Sequence, residues 1–214
     1  LMLLAAADRF SPDAYLTACK RAVETGDSQR VQTLVKEAKN LLAEQAPSLP
    51  GEVILYAYTE GHRNIAKDLI TQCTPEQIAA APPKLLRWAA EKLDFQTAVD
   101  LVDKGAQPGD EAASILRALT GQRQEWMAEH LLERGMPVEP DNYAALYACV
   151  SNQAPGAAKL LLDHGMDLEK YKTWAEHRPK GEGYAETMEE LAAYWSEPRN
   201  SPRPEDSPMG GMSL

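Results

Sequence analysis

Three segments of the chain share one alternation of apolar and polar positions: "AVDLVDKGAQP" at 98–108, "AEHLLERGMPV" at 128–138 and "AKLLLDHGMDL" at 158–168. Superposed, they give four columns. Ala98, Ala128 and Ala158 form the first, Leu101, Leu131 and Leu161 the second, Val102, Leu132 and Leu162 the third, and Gly105, Gly135 and Gly165 the fourth. Positions three and four residues apart lie on one face of an α-helix, so each segment predicts a short helix buried on one side. The alanine lets a neighbouring helix approach closely, and the glycine suits the left-handed position that ends a helix. A second apolar segment precedes each one: "LLRWAA" at 85–90, "ILRALT" at 115–120 and "ALYACV" at 145–150. The unit is helix, tight turn, helix, glycine stop and short connection, and it repeats every 30 residues. A single helix pair cannot bury both of its faces, so this period predicts stacked pairs sharing a continuous core.

The same pattern extends backwards less regularly. "AYTEGHRNIAKDLI" places Ala66, Leu69 and Ile70 in the columns, and "AVETGDSQRVQTLV" does so with Val31, Leu34 and Val35. About five units result. Between the second and third, Thr74, Pro75 and Gln77 make a capping-box start for an extra short helix, which Pro82 and Pro83 halt. After residue 168 the columns are lost; "EKYKTWAEHR" and "EGYAETMEELAAYW" predict a last helix pair with a water-facing outer side, a C-terminal cap over 169–197. Residues 198–214, rich in proline and glycine and without apolar period, predict a disordered tail. "LMLLAAADRF" at the start reads as a first helix; its small-residue end also fits the last residues of a secretory signal.

These units resemble ankyrin repeats. In "AALYACVSNQAPGAAKLLLDHGMD", Leu146 falls on the leucine of the family's T-P-L-H start, Cys149 and Val150 on its paired alanines, and Leu161, Leu162 and Gly165 on its L-L and glycine. Gly61-His62 matches the family's G-H turn, and Ala22 and Gly26 keep part of the frame. No T-P-L-H is intact, and the period of 30 falls short of the family's 33 in the connection that usually forms a β-hairpin finger. The expectation is an all-α solenoid of about five ankyrin-like helix-turn-helix repeats over 1–168, capped and tailed as above, with little or no strand.

Charge and composition narrow the functions. With 22 basic against 32 acidic residues, a net charge of −10, the chain is a poor match for a phosphate backbone, so no nucleic-acid partner is expected. No stretch approaches the ~20 apolar residues of a membrane span. Cys19, Cys73 and Cys149 are far apart and in no CxxC pair, which predicts buried free thiols rather than disulfides or a zinc site.

Catalytic constellations are not evident. His62, His130, His164 and His177 fall in four different units; His62 is the family's turn residue, and His130 and His164 are expected to face solvent. Cys149 stands at a packed alanine position, where a thiol is inert. No catalytic residue, cofactor or metal is expected. One enzymatic alternative would place a site near the cap, around Tyr171, Trp174, His177 and Tyr184.

The resemblance implies a concave, partner-binding face on the inner helices. There the sequence offers a ladder of Arg87, Arg117 and Tyr147, flanked by Trp88 and Tyr143, residue types that anchor interfaces. Trp126 falls on an outer helix, at a position the family usually leaves polar. The expected function is a non-enzymatic protein-interaction module whose partner presents a basic surface. An inhibitor or immunity-type protein, or a delivered effector fragment, fits the same sequence. The expected location is the cytoplasm, or outside the cell if residues 1–7 end a signal peptide.

Overall fold

A computed structural model describes residues 11–42 and 46–197. The readings of residues 1–7 as signal or helix, and of 198–214 as a tail, lie outside the described residues. Within them the protein is all-α, with no strand. The helices are α1 (Pro12–Glu24), α2 (Ser28–Leu42), α3 (Leu49–Thr59), α4 (Arg63–Gln72), α5 (Pro75–Ala79), α6 (Lys84–Glu91) and α7 (Phe95–Asp103). They continue with α8 (Ala112–Gly121), α9 (Glu125–Glu133), α10 (Tyr143–Ser151), α11 (Pro155–Asp163), α12 (Leu168–Ala175) and α13 (Tyr184–Trp195). None of these is long and apolar enough to cross a membrane.

Helices pair in sequence: α1 with α2, α3 with α4, α6 with α7, α8 with α9 and α10 with α11. Across pairs, α1, α3, α6, α8, α10 and α12 pack in succession as a first row. A second row runs through α2, α4, α7, α9, α11 and α13. The sequence columns supply the seam: Ala98, Ala128, Ala158, Leu101, Leu131 and Leu161 are wholly buried. Short helix α5 starts as expected, with Thr74 accepting from the Gln77 N–H while the Gln77 side chain accepts from the Thr74 N–H.

Two sharp turns close each hairpin. After the second helix, Gly105, Gly135 and Gly165 have φ of 85°, 84° and 96°. The next N–H reaches back five residues, from Ala106 to Leu101, Met136 to Leu131 and Met166 to Leu161, as in a Schellman motif. The turn inside the hairpin uses the same device, with Asp94 N–H bonding to Ala89 O, Gln124 to Leu119 and Ala154 to Cys149. Here the left-handed residues are Leu93, Arg123 and Gln153, at φ of 53°, 58° and 56°, where the two earlier units carry Gly26 and Gly61. A side chain there costs free energy that glycine avoids.

The last pair stays closer to the register than its residues suggest. Gly183, 30 positions after Gln153, is left-handed at φ 73°, and Leu191, 30 after Leu161, is wholly buried. Met188, Ala192 and Trp195 stand in the columns of Ala158, Leu162 and Gly165, which hides the match in the sequence. α13 therefore packs on α11 as α11 packs on α9. α12 departs more, ending eight residues before α13 begins.

Polar ties repeat at nearly the same interval along the second row. Arg134 holds Asp103 with both carboxylate oxygens, at 2.8 and 2.6 Å, and Tyr194 donates to Asp163 one pair of units later at 2.7 and 2.8 Å. Lys104 places its ammonium on the carbonyls of Ile70, Thr71 and Cys73 at 2.8, 3.3 and 2.9 Å, capping the negative end of α4.

Candidate functional site

The first row presents the candidate residues. Arg87, on α6, donates through Nε to Glu91 at 2.6 Å and through a terminal nitrogen to Glu111 at 3.1 Å. Those carboxylates hold the guanidinium protonated, above its already high range. Trp88, half-buried, lies 4.3 Å from the ring of Tyr58, centroid to centroid. Tyr58 is itself buried and shares a 2.7 Å hydrogen bond with Thr97. Burial pushes the Tyr58 hydroxyl up to about 12, so it stays neutral. Trp88, Arg87, Leu55, Thr59, Lys84 and Glu91 line an open groove of about 330 Å3 between α3 and α6.

Arg117, on α8, is exposed and has neither hydrogen bond nor ion pair among the described residues. Tyr143 and Tyr147, on α10, are half-buried in an aromatic cluster with residues of the last pair. Tyr143 lies 6.5 Å from Tyr171 and 6.2 Å from Trp174; Tyr147 lies 6.1 Å from Trp174 and 6.4 Å from Tyr184. The Tyr147 hydroxyl donates to Pro179 O, which ties the connection between α12 and α13 onto this face. In that connection the Arg178 guanidinium stacks 3.6 Å above Trp174. The structure thus joins Tyr143 and Tyr147 in one cluster and places Arg87 and Trp88 two helices away, with Arg117 between them.

The alternative enzymatic grouping is brought together only in part. Tyr171 stacks on Trp174 and shares a 3.1 Å hydrogen bond with the Tyr184 hydroxyl, while His177 is exposed and outside the ring contacts. Burial raises the Tyr171 hydroxyl far above its usual range, which suits a packing role. All three cysteines are free and buried. Burial pushes the Cys19 thiol up to about 12 and Cys149 higher still, so neither offers a thiolate near neutrality. No group of three or more His, Cys, Asp or Glu among the described residues is placed to hold a metal ion.

His164 is exposed, as expected, but His130 is not the free surface residue its charged neighbours suggest. It is half-buried 5.3 Å from the Phe95 ring, and its Nε2 accepts from Arg134 Nε at 2.9 Å. Phe95 comes from the preceding unit, so no local pattern points to this contact.

The chain's acidity is unevenly placed. Helices α6, α8, α10 and α12 carry five basic and two acidic residues, a net of +3, whereas α7, α9, α11 and α13 carry one basic and nine acidic, a net of −8. Over these last four pairs, then, the excess of acid lies on the second-row helices and not on the first-row ones.

No protein-family model matches the chain, and no curated protein or solved structure matches it either.

Proposed function

We propose that the protein is a non-enzymatic interaction module, an ankyrin-like stack of helix pairs that binds a partner protein across α6, α8 and α10. The observation that carries this reading is Arg117: exposed, without a partner, and set between the Trp88 groove and Tyr147. Packed helices lie about 8–10 Å apart, so the groove, Arg117 and Tyr147 are successive steps across one face. Trp, Tyr and Arg are the residues that most often dominate binding energy. A carboxylate that pairs bidentately with this guanidinium offsets the cost of desolvating it.

The partner for this face carries an apolar side chain for the groove and acidic residues for Lys84 and Arg117. Such a partner departs from the basic one that the total charge suggests. The reading is tested by affinity capture from the native source with the wild-type chain and with Arg117→Glu, which leaves the fold's contacts untouched. Loss of captured proteins with unchanged circular dichroism supports it. An identical set captured by both chains removes this face from consideration.

A further inference from the structure

We infer that α7 and α9 form a second docking surface, which takes a Lys- and Arg-flanked apolar segment of a partner protein with Trp126 as its anchor. Trp126 is 53% exposed, one of two large apolar residues exposed among the described residues; Leu93, the other, sits in a turn. An isolated exposed tryptophan needs no explanation, but this one is held in place. Its ring lies 4.7 Å from Phe95, and its Nε1 donates to Gln124 Oε1 at 2.7 Å. His130 packs on Phe95, and Arg134 binds both His130 and Asp103. The patch is therefore ordered before any partner arrives, which reduces the side-chain entropy lost on binding.

The surroundings specify the partner's charge. Residues 125, 129 and 133 are successive turns of α9, and all three are glutamates. Glu125 accepts from the Gly156 N–H at 2.9 Å, at the positive end of α11, while Glu129 and Glu133 have no cationic partner among the described residues. Glu129 protonates more readily than an ordinary glutamate, first because of burial and then because Glu125 and Glu133 repel its charge. Two cations of this row are engaged elsewhere, Arg134 on Asp103 and Lys104 on the end of α4, while Arg123, in the turn before α9, makes no ion pair with the three glutamates. A partner's lysine or arginine set between these carboxylates would relieve that repulsion, while its apolar side chain covers the indole. Both parts are needed: carboxylates alone attract any cation, and only the tryptophan selects an adjoining apolar group.

This surface lies on the second row, so it does not depend on the proposal for α6, α8 and α10. The test uses the whole chain and two probes. One is an amphipathic peptide of about 14 residues, four turns, with leucines on one face and lysines on the other; the second is oligolysine of equal charge. Calorimetry at physiological salt is expected to show binding of the leucine–lysine peptide, weakened about tenfold or more by Trp126→Ala. A similar loss is expected for the pair Glu129→Gln and Glu133→Gln, and none for Arg117→Glu. The inference is overturned if the peptide fails to bind at millimolar concentration, if Trp126→Ala leaves its affinity unchanged, or if oligolysine binds equally well. Trp126 is exposed, so its loss leaves the fold intact, and circular dichroism of each variant verifies that.

Discussion

Gly51 sits in the first turn of α3, where the chain passes against residues 81 and 82. A β-carbon there would lie 2.7 Å from Ala81 Cα and 3.2 Å from Pro82 Cδ, and closer still to Ala81 Cβ. Carbon atoms rest about 3.5–4.0 Å apart, so Gly51→Ala must displace backbone by about 1 Å. Neither neighbour has a flexible end that could swing away. Overpacking of this kind costs about 1–3 kcal/mol, occasionally more. Alanine is favoured over glycine in a helix interior by about 1 kcal/mol, which offsets only part. Because backbone stands in the way, the overpacking falls in the upper part of that range, about 2–3 kcal/mol, which leaves a net destabilisation of about 1–2 kcal/mol, or roughly 2–8 °C in melting temperature for a chain of this size. Urea unfolding followed by circular dichroism measures it, with unchanged m-value as the check that only stability moved. Ala81→Gly in the same chain removes the nearest atom in the way but leaves the Ala81 Cα, so the double variant should recover part of the loss and not all of it. A neutral or stabilising Gly51→Ala would refute the close approach of α3 to the segment before α6.

Other perturbations probe the core, the charges and the caps. Leu161→Ala removes a wholly buried side chain from the seam between pairs and should cost about 2–5 kcal/mol by urea unfolding; under 1 would mean the column is not core. Glu129→Gln should raise stability at neutral pH and have no effect in acid. The folded-state pKa of Glu129 is raised, so its relative stabilising effect is full below the unfolded pKa and lost as pH rises through the folded one. Equal effects at both ends of a pH series of melting curves would contradict this. Lys104→Met keeps the stem but removes the ammonium from three carbonyls, and should cost about 1.5–3 kcal/mol. Amide exchange near Ile70 and Cys73 should rise at the same time.

The helix pairs were legible because their period is carried by residues with a physical reason to be there. The Gly105, Gly135 and Gly165 column foretold three left-handed stops, and Thr74 with Gln77 foretold the start of α5. The inner turn was less visible, since Leu93, Arg123 and Gln153 adopt a glycine-like conformation without being glycine. The near-register of α13 was hidden for a related reason: Gly183 and Leu191 keep the frame, but Met188, Ala192 and Trp195 replace the alanine, apolar residue and glycine that mark it elsewhere.

The candidate site was legible as a ladder of positions and not as chemistry. Glu91 stands four residues after Arg87, so half of that ion pair could be read; Glu111, from the next unit, could not. Arg117 differs from Arg87 because position 121 holds glycine where position 91 holds glutamate, and Asp141, which stands 30 residues after Glu111, makes no ion pair with it. Summed charge does not show this distribution, because it averages the basic helices α6, α8 and α12 with the acidic α7, α9 and α13. The Phe95–Trp126–His130 contacts cross units and leave no local trace.

Excision of one unit addresses the stacking of 30-residue pairs most directly. Deleting residues 109–138 joins Pro108 to Glu139, which follows the equivalent position, and brings α10 against α6 and α11 against α7. If the pairs are interchangeable stacking units, the shortened chain folds with unchanged helicity per residue, one cooperative urea transition and a proportionally smaller m-value. Loss of helical signal, or a transition without cooperativity, would show that the columns are a likeness in sequence and not the units from which the molecule is built.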